Sequence, residues 1–115
     1  MLGDRVRIGA TGTFKEQPET MVFVYKPVTK EDGTFMQVGD STYLVESVGG
    51  VQAGSSGTIQ GHPIKVNRSQ LKNFSGVPGL GTVDSVLMFP VFLDKYQQIG
   101  WFPNDDVKIM AGGPA

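Results

Sequence analysis

Cysteine is absent from the 115 residues, histidine and tryptophan occur once each, and ten Lys plus Arg are offset by eleven Asp plus Glu. The missing cysteine excludes disulfides, thiolate metal sites and cysteine nucleophiles together. His62, lying between Gly61 and Pro63, leaves no multi-histidine metal site and reads as a loop residue. A net charge of −1 argues against a chain that works by neutralising phosphates, so nucleic acid is not an expected partner. No basic stretch followed by an apolar core opens the chain, as a secretory signal would require. The longest apolar run, Val86 to Leu93, is far short of the ~20 residues that cross a bilayer. The expectation is a soluble protein of the cytoplasm or of a virion, with no membrane partner.

What is present is glycine, 16 residues of it, between short runs rich in Val, Ile, Phe, Tyr and Thr. Such runs between turn residues read as strands. They fall at Arg5 to Ile8, Thr20 to Tyr25, Thr34 to Val38, Ser41 to Val48, Thr82 to Leu93, Ile99 to Phe102 and Val107 to Met110. Asp32-Gly33 supplies a turn in which two residues would take positive φ. Residues 49–81 read as a glycine-rich insertion, with one short helix over 67–74 in which Asn67 caps and Leu71 and Phe74 face inward. The chain is therefore expected to form one domain over 1–115, an all-β small barrel or sandwich with a long insertion and one short helix. Pro90 interrupts the most apolar run, and a proline cannot donate to a ladder, so that run is expected to be bent, bulged, split or at an edge.

Two stretches resemble the Src-homology-3 domain family. Gly100-Trp101-Phe102-Pro103-Asn104-Asp105-Asp106-Val107 is similar to the family's closing Gly-x-Phe-Pro segment, in which a strand leads through one 3₁₀ turn to a last strand whose Val enters the barrel. Phe23-Val24-Tyr25, then Glu31-Asp32-Gly33, then Gly39-Asp40 with Tyr43-Leu44-Val45-Glu46, is similar to its opening strand, acidic loop and following strand. The resemblance implies a Src-homology-3-like barrel. Of the family's peptide-groove positions Tyr25 and Pro103 match, while Pro27 and Asp106 stand where the family has Tyr.

No residue pattern implies catalysis, a metal or a cofactor, so the chain is expected not to be an enzyme. Asp105-Asp106 reads as the capping of a turn, and Ser55-Ser56 as a loop without the spacing of a nucleophile elbow. Lys65, Arg68 and Lys72 form a small basic patch, read as a solvated face. Both faces of Val86 to Leu93 are apolar, whereas a small barrel has one interior, so one face is expected to meet another chain or the insertion. Interface candidates are thus Met88, Phe89 and Phe92, together with Trp101, Phe102, Pro103 and Tyr25. The expected role is protein–protein contact, as a structural subunit of a larger assembly or homo-oligomer. Phage virion proteins of the head-completion, tail or decoration type share this general character. The alternative is a stand-alone adaptor of Src-homology-3 type.

Overall fold

The computed structural model describes residues 2–9, 21–38, 42–67 and 85–110, and these form an all-β fold. The strands are β1 (Arg5–Ile8), β2 (Met21–Pro27), β3 (Val45–Gln52), β4 (Ser56–Ile59), β5 (Ile64–Asn67), β6 (Ser85–Leu93), β7 (Gln98–Pro103) and β8 (Val107–Ile109). One 3₁₀ turn, Asn104–Asp106, joins the last two. All strand pairs are antiparallel and make one open sheet in the order β3-β2-β7-β6-β4-β1-β8, with β5 beside β6. The all-β class expected from the β-branched and aromatic runs is the class adopted. Residues 49–67, read from composition as part of an insertion, contribute the second half of β3 together with β4 and β5. Gly49 and Gly50 stand opposite Val24 and Phe23 in the β2–β3 ladder. The helix expected over 67–74 lies outside the described residues except for Asn67, which ends β5.

Strand β6 runs through the middle of the sheet. Its last six residues, Met88 to Leu93, pair with β7. On its other side Ser85 to Met88 pairs with β5, and Val91 to Leu93 with β4. Pro90 sits where the partner changes. Its carbonyl accepts the Gln60 N–H at 2.8 Å, so its nitrogen also faces the gap between β4 and β5, where no ladder donor is called for. The run is therefore neither split nor at an edge: β6 continues through Pro90 inside the sheet, and what changes there is its partner on one side.

Buried residues fall into two clusters on opposite faces of the same strands. The first holds Val6 and Ile8 of β1, Val22 and Val24 of β2, Val91 and Leu93 of β6, and Phe102 of β7. The second holds Tyr25, Val45, Val66, Val86 and Met88, with Ile64 and Trp101 packed against it. Because side chains alternate along a strand, the consecutive buried pairs Val24-Tyr25 and Pro90-Val91 mark where burial passes from one face to the other. At the first of these, β3 carries a bulge: Tyr25 pairs with Ser47 and Val24 with Gly49, leaving Val48 as the extra residue. The double-faced apolar character of β6 therefore has an internal cause. Each fully buried aliphatic or aromatic side chain contributes roughly 1.5–3 kcal/mol, and β6 supplies such residues to both clusters.

Candidate interaction surface

The outer face of β6 and β7, opposite the first cluster, is built by ladder register. Directly opposite residues share a face, and the register sets Pro90 against Trp101 and Phe92 against Ile99. Ile99 is 56% exposed, while Phe92 and Trp101 are half-buried. The row continues across β4 and β1, where Thr58 faces Phe92 and Arg5 faces Thr58. Phe35 then stands edge-on to Trp101, with ring centroids 5.8 Å apart and planes at 88°. Tyr43 meets Phe35 in the same way at 6.1 Å. T-shaped contacts of this kind are favoured by the ring quadrupoles. Beside these rings an open cleft of about 410 Å³ is lined by Lys30, Gly33, Thr34, Phe35, Gln37 and Tyr43.

The turn that presents Phe35 is held locally. Gly33 takes φ +88° and donates its N–H to the Lys30 carbonyl at 3.0 Å. The Asp32 carboxylate accepts the Thr34 hydroxyl at 2.6 Å and the Thr34 N–H at 3.0 Å, which hold its pKa below the usual carboxylate value. Gly33 alone has positive φ in this turn, so the two-residue positive-φ form expected from Asp-Gly is replaced by a wider one. The side chain of Asp32 supplies bonding that a tight hairpin would take from the backbone.

At the far end of the row Arg5 makes a forked contact with Asp94, at 3.0 and 2.5 Å, and also donates to the Thr58 hydroxyl at 2.8 Å. This arginine contact, foremost through hydrogen bonding, lowers the Asp94 carboxyl pKa, and Ser56 adds a further donor at 3.2 Å. A second open cleft, about 620 Å³, lies next to it between the β3–β4 and β6–β7 turns, lined by Gln52, Ser55, Ser56, Asp94 and Lys95 among others. Its polar groups bond one another: Ser55 donates to the Gln52 carbonyl at 2.6 Å and Lys95 to the Gln52 side chain at 3.2 Å. It is a structural junction between turns.

Of the interface candidates, Trp101 and Phe92 lie on the outer face. Phe89 lies on the opposite face, packed against the first cluster. Tyr25, Met88, Phe102 and Pro103 are buried within the chain itself, Met88 and Phe102 at 0% exposure. Lys65 is exposed on β5, opposite Leu87; Arg68 and Lys72 lie outside the described residues. His62 is exposed in the β4–β5 turn, and Asp105 and Asp106 sit in the 3₁₀ turn with Asp106 buried. Ile99, Phe35 and Tyr43 were not among the candidates. Ile99 was legible, since it lies two residues from Trp101 and so shares its face. Phe35 meets Trp101 only through a fold that joins positions far apart in sequence.

Comparison with known proteins finds no matching family, no matching curated protein and no matching solved structure.

Proposed function

We propose that this protein is a non-catalytic structural subunit whose outer β6–β7 face docks onto further copies of the chain. The carrying observation is the Ile99–Phe92 row beside Trp101, an apolar strip on interior strands where a monomer would gain more from polar side chains. A net charge of −1 gives little repulsion between copies. Repetitive shells and tubes use such subunits, and the head-completion, tail and decoration proteins of phage virions are the kind of assembly meant. Sedimentation across a concentration series tests it. The expectation is a mass that rises with concentration in the unaltered protein and stays monomeric in Ile99→Asp, with unchanged far-ultraviolet circular dichroism. A monomer at every concentration would sink the reading.

A Src-homology-3-type adaptor is the second reading. It is favoured by the closing segment, which runs from β7 through one 3₁₀ turn into β8, with Val107 packed against the first cluster. Against it, Tyr25 and Pro103 are both buried, so the two matching groove positions do not offer a ridge on which a polyproline II ligand docks. Proline-rich peptides should therefore bind no tighter than about millimolar, as followed by Trp101 fluorescence.

A further inference from the structure

The segments 28–38 and 42–44 close on themselves. Val28 donates its N–H to the Leu44 carbonyl at 2.9 Å, Leu44 to Met36 at 2.9 Å, and Met36 back to Val28 at 2.8 Å, so three extended pieces are bonded in a ring. Lys30 donates its N–H to the Thr34 carbonyl and Val38 to the Thr42 carbonyl, both at 2.7 Å. Every described residue from 28 to 44 is half-buried or exposed, whereas Val6, Ile8, Val91 and Phe102 of the first cluster are at 0% exposure. The unit rests on the sheet through Phe35 against Trp101, and through the Tyr43 N–H, which donates to the Lys65 carbonyl at 2.8 Å. We infer that these segments form a strap that opens as one unit while the first cluster stays folded. The ring keeps its own backbone bonds when it lifts, so opening gives up the backbone bridge of Tyr43 to β5 and half-buried side-chain contacts, and little else. Lifting Phe35 bares Trp101 and enlarges the aromatic part of the outer face. That consequence rests on the docking reading above, and the opening itself does not.

Native-state hydrogen exchange tests the strap, run at a concentration where sedimentation finds only monomer, so that docking plays no part in the result. Val28, Met36 and Leu44, bonded within the ring, should exchange more slowly than Tyr43, whose bond to the Lys65 carbonyl is broken by lifting. The Tyr43 amide should exchange at least about tenfold faster than those of Ile8 and Ile59, as for a sub-global opening. The latter donate to Ser55 at 2.8 Å and Asp4 at 3.0 Å within the first-cluster region. Phe35→Ala, which removes both ring contacts, should speed the Tyr43 amide a further tenfold or so and leave Ile8 and Ile59 unchanged. A Tyr43 rate equal to that of Ile8 and Ile59, an equal change in all three on Phe35→Ala, or failure of Phe35→Ala to fold would each overturn the proposal. None of these outcomes bears on the sedimentation result, by which the docking reading stands or falls separately.

Discussion

Gly57 and Gly100 fill positions where a side chain would force a neighbour to move, and the neighbours differ. A Cβ at Gly57 would lie 2.4 Å from the Phe92 carbonyl oxygen and 2.6 Å from Val91 Cγ1, so backbone itself blocks it. At Gly100 the nearest atoms are side-chain ones, Val24 Cγ1 at 2.8 Å and Phe102 Cε2 at 3.0 Å. Overpacking of a core costs about 1–3 kcal/mol, and more when backbone must move. Gly57→Ala should therefore lose more than about 3 kcal/mol or fail to fold, while Gly100→Ala should lose about 1–3 kcal/mol. Gly61→Ala, which meets only Pro90 Cγ at 3.4 Å, should stay near the unaltered value; urea midpoints rank the three. Composition announced many glycines but not which of them a neighbour crowds, because crowding depends on strands that pair across the sheet. Asp94 carries a pH prediction. Its pKa is lower in the folded protein than in the unfolded chain, chiefly through Arg5. The contribution is thus complete above the unfolded carboxylate value, about 3.9, and is lost as pH falls through the folded value. Asp94→Asn should flatten that part of the acid-side loss of stability, read as urea midpoints between about pH 7 and pH 3, and a curve identical to the unaltered protein's would refute it.

At the scale of elements, β6 shows what periodicity can and cannot say. Its two apolar faces were legible, and so was the need for each to be covered. The cover was not legible, since Val66 and Ile64 on one side and Val6, Ile8 and Val22 on the other come from distant strands. Met88 is enclosed by the chain, while Phe92 remains half-buried beside Ile99. Phe89→Asp and Phe92→Asp should consequently part company. A charge at Phe89 faces the first cluster and should unfold the domain, since an unpaired buried charge costs several kcal/mol. A charge at Phe92 should leave the circular dichroism intact and abolish self-association. Met88→Ala, at a site with 0% exposure, should cost about 2–5 kcal/mol and shift Trp101 emission to the red, because both belong to the second cluster.

At the scale of the whole molecule, the charges among the described residues are dispersed over both faces of the sheet, which bears on the large partners the protein can take. Arg5, Arg7 and Lys108 share the outer face, for Arg7 lies opposite Lys108 and Arg5 opposite Thr58. Lys65 sits on the other face, across from Leu87. Arg5 is already committed to Asp94 at 2.5 Å. A phosphate backbone follows one continuous track, so cations split between faces cannot all engage it. The patch read from sequence as Lys65, Arg68 and Lys72 could supply a log–log salt slope no steeper than about −3 even if all three made contact. With the net charge at −1, there is also no long-range field to gather a polyanion. A labelled oligonucleotide followed by anisotropy should therefore show no micromolar binding at physiological ionic strength, and the titration should look the same for Lys65→Gln. Salt-sensitive micromolar binding that Lys65→Gln weakens would overturn this. It would also place the protein's working surface on β5 rather than on the Ile99–Phe92 row.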